Sequence, residues 1–184
     1  MNTNTQDMYG MTPLMKACRA GRIDLVKRLC DQGANLEMRD TEGSTAMVWA
    51  VYGRAIVAID ELYKRGADVN TRLNDGRTPL MCAAVLNHMG RTIVQHLCDL
   101  GADVNAQSLT GATALSQAVL CAHISIAIEL CSRGARVSFG CFEVASRYQG
   151  TIPLLTKQQS RHNVLVLVDE VLTRDLLRLV HRFM

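Results

Sequence analysis

Asn74-Asp75-Gly76-Arg77-Thr78-Pro79-Leu80-Met81-Cys82-Ala83-Ala84 reads as a tight turn running into the start of a helix. Asn, Asp and Gly tolerate positive φ in a turn, Thr78 is placed to accept from a first-turn amide as N-cap, and Pro79 suits the first helical position, where no amide hydrogen is needed. Ala83 and Ala84 leave one helix face small enough for a second helix to come close. The same grammar recurs at Gly10-Met11-Thr12-Pro13-Leu14-Met15-Lys16-Ala17, at Gly43-Ser44-Thr45-Ala46-Met47 and at Gly111-Ala112-Thr113-Ala114-Leu115. The chain is therefore built of repeats.

Register follows from the glycines. The turn glycines Gly10, Gly43, Gly76 and Gly111 are spaced by 33, 33 and 35 residues, and a second series, Gly33, Gly66, Gly101 and Gly134, by 33, 35 and 33. Each glycine of the second series follows an amphipathic run such as Ile23-Leu25-Val26-Leu29-Cys30, where a helix ends in a left-handed residue. Each unit should hold two short helices.

A period of 33 with Thr-Pro-Leu opening the first helix and Gly-Ala-Asp-Val-Asn (Gly66–Asn70, Gly101–Asn105) after the second resembles the ankyrin repeat. The resemblance implies an all-α fold, a solenoid of antiparallel helix pairs with short β-hairpin fingers. The units run over about 7–39, 40–72, 73–107 and 108–137, with a degenerate repeat and helical cap over 138–184. One departure is consistent. Where the family commonly has His after Thr-Pro-Leu, this chain has Met15, Val48, Met81 and Ser116, so apolar packing is expected to replace that hydrogen-bond network. The two extra residues of the third unit are assigned to the stretch Asn87 to Thr92, between its helices, because loops absorb insertions cheaply. At the other end, Val164, Val168, Leu172, Leu176 and Leu179 keep helical spacing, which suits a lid on the last open face of an array. A docking helix is the rival reading.

Composition narrows the function classes. Twenty Lys and Arg are scattered among 17 Asp and Glu for a net charge of +3, and aromatics are 4%, which argues against nucleic-acid binding. No apolar run approaches the roughly 20 residues needed to cross a bilayer, and the N-terminus lacks the apolar core of a signal peptide. Seven cysteines without a CxxC point to reduced thiols in the cytoplasm rather than disulfides or zinc. Cys30, Cys98 and Cys131 occupy one repeat position and read as core, as does Trp49 on the first helix of the second unit. His88 and His123 read as turn caps. No GxGxxG, P-loop or HExxH occurs, so no catalytic residue, cofactor or metal is assigned.

The resemblance also implies where a protein partner would sit: on the finger tips and the exposed side of the first helices. By repeat position this surface takes Tyr9, Met11 and Arg19 from the first unit and Arg39, Glu42 and Tyr52 from the second. The third gives Arg72, Asp75, Arg77 and Leu86, and the fourth Leu109. Arg39, Arg72 and Arg77 form a modest basic stripe suited to an acidic protein surface. The expected function is a monomeric, non-catalytic protein-binding module, an adaptor, scaffold or blocking inhibitor, with an immunity-type inhibitor of a toxin or enzyme as one form. An enzyme or small-molecule receptor would instead need a deep pocket with convergent polar groups. In the family, the Asn equivalent to Asn70 and Asn105 can be hydroxylated, although each can also satisfy turn backbone groups by itself.

Overall fold

The computed structural model describes residues 3–86, 90–121 and 123–136, with the backbone alone at Ile124. The degenerate repeat and capping helix expected over 138–184 lie outside the described residues, as does His88.

Eight helices pair along the described chain: α1 (Pro13–Arg19) with α2 (Ile23–Asp31), α3 (Ala46–Tyr52) with α4 (Ile56–Lys64), α5 (Pro79–Ala84) with α6 (Gly90–Asp99), and α7 (Ala114–Leu120) with α8 (Ile124–Ser132). The odd-numbered helices stack on one another as an inner row, α1 on α3, α3 on α5 and α5 on α7. In the outer row α2 packs on α4 and α6 on α8. Gly90, Arg91 and Thr92 already belong to α6, so the later half of the stretch assigned to the inter-helix connection is helix.

The stacking is written in residue size. Ala17, Ala50, Ala83 and Ala118 share one repeat position and are all buried, which lets the inner helices approach closely. Leu14, Met47, Leu80 and Leu115 fill the next position, while Leu29, Leu62, Leu97 and Leu130 fill the outer helices. Each such buried side chain contributes about 2 kcal/mol relative to exposure.

Helix ends follow the glycine series. Gly33, Gly66, Gly101 and Gly134 have φ of 78°, 90°, 89° and 86°, and the amide after each reaches back to the outer-helix leucine, as Ala34 N does to Leu29 O at 3.0 Å. At the inner-helix starts Thr12, Thr78 and Thr113 accept from Met15, Met81 and Ser116 amides. Thr45 makes no such bond, and its buried Oγ1 has no partner. The missing family His is replaced in part by polar groups, not by apolar packing alone: Met15 Sδ accepts from Thr12 N at 3.3 Å, and Ser116 Oγ accepts from Thr113 N at 2.9 Å.

The β-hairpin fingers are a correction: among the described residues none lies in a strand. Each finger is a closed turn, with Asp40 N bonded to Ser44 O and Gly43 N to Asp40 O in the second, and Leu73 N to Arg77 O and Gly76 N to Leu73 O in the third. Two things prevent a ladder. Asp7 Oδ1 and Asp40 Oδ1 take two amides each within their own fingers, removing the donors a strand pair would use. The arm after the turn is also only one residue long before the N-cap threonine. Neighbouring fingers meet through single backbone bonds instead, Thr41 N to Tyr9 O, Asn74 N to Glu42 O and Leu109 N to Asp75 O. The tips therefore form a tied ridge.

Candidate protein-binding surface

Between the ridge and the inner helices runs a row of side chains set by one repeat position, Lys16, Trp49, Cys82 and Gln117. In the first unit Lys16 Nζ pairs with Asp7 Oδ2 at 2.7 Å. In the second the same geometry is kept with different chemistry, Trp49 Nε1 donating to Asp40 Oδ2 at 2.8 Å. In the third both partners are apolar, Leu73 and Cys82, and the thiol takes the Tyr52 hydroxyl at 3.3 Å.

These contacts gather a patch across three units. The Arg19 guanidinium lies over the Trp49 ring, 5.1 Å from its centroid, and Tyr52 meets Trp49 edge-on at 5.7 Å and 66°. Trp49 and Tyr52 are half-buried and Arg19 is exposed. Burial, then the neighbouring Cys82, raises the Tyr52 hydroxyl pKa, so it stays a neutral donor. Arg77 pairs with Asp75 at 2.6 Å beside the patch. Burial works against both charges there, and their mutual hydrogen bonds outweigh it, lowering Asp75 and raising Arg77.

The expected partner residues divide into four groups. Arg19, Tyr52, Asp75 and Arg77 come together in or beside this patch. Tyr9, Glu42 and Leu109 project from the ridge, and Tyr9 and Leu109 are 63% and 79% exposed. Met11 and Leu86 are half-buried against the core. Arg39 and Arg72 are exposed but already employed. Arg39 Nη2 donates to Arg72 O, and Arg72 Nη1 donates to Gly76 O at 3.1 Å and Gln107 O at 2.7 Å, each tying one unit to the next.

Trp49 is the member that sequence reasoning passed over, since its position reads as core. The signal was present in the register: 33 residues earlier stands Lys16, which faces its own finger's aspartate.

Other candidate groups are structural. An open depression of about 490 Å³ lies against Glu37, Arg39, Asp68, Asn70 and Arg72, and those side chains hold backbone groups, as Glu37 does Asp68 N and Asn70 does Asp103 N. Asn105 likewise accepts from Arg136 N at 2.7 Å, so Asn70 and Asn105 are both engaged in joining units. His123 is the N-cap residue of α8, and its Nδ1 donates to Ala84 O at 3.0 Å. Burial pushes the Cys18 thiol up to about 12 and raises Cys30, Cys82 and Cys98, which leaves these thiols protonated and inert. Among the described residues no group of three or more His, Cys, Asp or Glu is arranged to hold a metal ion. No helix among them is long and apolar enough to cross a membrane.

Residues 1–73 and 57–139 each match the family model described as ankyrin repeats in three copies. The chain belongs to the ankyrin-repeat family. It is 35% identical over 133 residues to neurogenic locus notch homolog protein 1 of Homo sapiens, which covers 72% of this chain and 5% of that protein. It is 31% identical over 130 residues to the E3 ubiquitin-protein ligase KEG of Arabidopsis thaliana, 70% of this chain and 8% of the ligase. A third relative, the putative ankyrin repeat protein L271 of Acanthamoeba polyphaga mimivirus, is 40% identical over 83 residues, covering 43% and 11% of the two chains. The ankyrin chain thus spans about a tenth or less of the length of these relatives, and what it shares with them is the repeat array. Such an array is a non-catalytic module of the kind that serves protein–protein contact.

Proposed function

We propose that this ankyrin array binds a protein partner in the groove between its finger ridge and inner helices, and acts as a monomeric adaptor, scaffold or blocking inhibitor by occupying that partner. The observation carrying this reading is the Arg19–Trp49–Tyr52 patch. Two aromatic rings and a guanidinium from adjacent units stand together at a solvent-facing position, the residue types that dominate interface energetics. The tied finger ridge supports it, because a preorganised surface loses little entropy on binding.

The electrostatic preference for an acidic partner narrows to one place. Arg39 and Arg72 spend their guanidinium groups on carbonyls and Arg77 spends its own on Asp75, so of the named arginines Arg19 is the one that faces the groove with no anionic or carbonyl acceptor among the described residues. Free thiols at six described cysteines accord with a reducing, cytoplasmic setting.

The test is selection of peptide ligands from a phage-displayed random library on the whole chain, followed by binding to a groove variant carrying Tyr9→Ala, Tyr52→Ala and Leu109→Ala. Binding should fall at least tenfold in the groove variant and stay within twofold in an outer-face variant carrying Val57→Ala and Ile128→Ala. Equal binding to the groove variant and wild type would remove the groove.

A further inference from the structure

We infer that Arg19, held over Trp49, forms a carboxylate-binding subsite that receives an aspartate or glutamate side chain of the partner. This inference rests on the groove reading above and names the chemistry of its centre.

The platform is built from three units' worth of fixed contacts. Asp40 is buried and its Oδ1 accepts the Glu42 and Ser44 amides at 2.9 and 2.8 Å, which fixes the carboxylate. Its Oδ2 takes Trp49 Nε1 at 2.8 Å, which fixes the indole plane. Tyr52 packs edge-on against the ring, and its hydroxyl in turn donates to Cys82 Sγ. Arg19 rests on this platform as the last residue of α1, and among the described residues no carboxylate or carbonyl accepts from it. A guanidinium attracted by a ring face keeps its N–H edge for a second partner, and that edge matches a carboxylate in a bidentate fork. Because the stacking restrains the side chain beforehand, less rotamer entropy is lost when the acid arrives. Lys16, one turn earlier, is not equivalent: its ammonium is already paired with Asp7.

The chain holds a single tryptophan, Trp49, so fluorescence excited selectively at tryptophan reports on this subsite. The probe is an N-acetylated, C-amidated tetraglutamate peptide, with tetraglutamine and tetralysine peptides as controls. Tetraglutamate should give a saturable change in Trp49 emission with wild type and with Arg28→Gln, which removes the same charge from the outer helix α2. Arg19→Gln should weaken it at least tenfold, with the urea unfolding midpoint unchanged, and neither control peptide should titrate. No saturable change with wild type, or equal titration of Arg19→Gln and wild type, overturns the subsite. Library peptides that bind wild type and are lost in the groove variant would show the groove reading standing in that case, so the two failures are separable.

Discussion

Trp49 Nε1 donates to Asp40 Oδ2 at 2.8 Å, joining an inner helix to the base of its own finger. Asp40 meanwhile accepts two finger amides, so one buried carboxylate fixes both the turn and the ring against which a partner would pack. Asp40→Asn puts an amide donor where either the indole or the backbone needs an acceptor. Unfolding in urea should show a loss of about 2 kcal/mol, with a shifted Trp49 emission maximum in the folded protein. Wild-type stability and emission together would mean that the bond does not organise the finger.

The ridge makes a second prediction about glycine. Gly76 has φ +79°, and a Cβ there would stand 2.8 Å from Leu109 N in the next finger; Gly111 has φ +75°, and among the described residues nothing stands within 4 Å of a Cβ there. Gly111→Ala should therefore cost about 1 kcal/mol, from backbone conformation alone. Gly76→Ala should cost measurably more, because it also breaks the Asp75 to Leu109 tie. Equal urea midpoints for the two variants would mean that the fingers do not press on each other.

Four equivalent threonines give an internal control. Thr78 Oγ1 caps α5 by accepting from Met81 N, while buried Thr45 Oγ1 has no partner. Thr78→Val should lose about 1 kcal/mol with its cap, and Thr45→Val should be neutral or stabilising, since it removes an unsatisfied hydroxyl. Thermal or urea unfolding checks the pair, and the reverse order would contradict the assignment.

Acid should loosen the outer row. Burial works to raise the Glu129 carboxyl, but hydrogen bonds from Gln95 at 2.8 Å and Arg133 at 3.0 Å, with the Arg133 charge, outweigh it and lower the pKa. A carboxyl lowered in the folded state binds fewer protons than in the unfolded chain, so its stabilisation is full above the ordinary value of about 4.3 and is lost as pH falls through the folded value. The stability gap between wild type and Glu129→Gln should be constant from pH 7 to about 5.5 and shrink as pH falls below the ordinary carboxyl value of about 4.3. A gap that widens in acid would reverse the sign.

Much of the fold is legible in the sequence because it rests on backbone necessity. A turn that needs positive φ calls for glycine, and Gly10, Gly43, Gly76 and Gly111 all sit at φ between 75° and 80°. The alanine and leucine positions are equally plain, since helix spacing depends on side-chain size. The fingers were not legible as turns rather than hairpins, because that outcome depends on whether Asp7 and Asp40 claim the amides a ladder would use. Arg54 adopts φ 56° at the position Gly21 holds in the first unit, a conformation its identity does not announce. The site was only partly legible for a related reason. Register places Arg19 and Tyr52 on the groove, but whether an arginine is free or spent depends on contacts 33 residues away, such as Arg39 with the Arg72 carbonyl. Trp49 was hidden because a half-buried ring and a core ring look alike in sequence.

The most direct test of the groove is backbone amide chemical-shift mapping of a library-selected peptide on the whole isotope-labelled chain. Perturbations concentrated at Arg19, Trp49, Tyr52 and the finger tips from Tyr9 to Leu109, with the outer helices quiet, are the predicted result. Perturbations confined to α2, α4, α6 or α8 would contradict it.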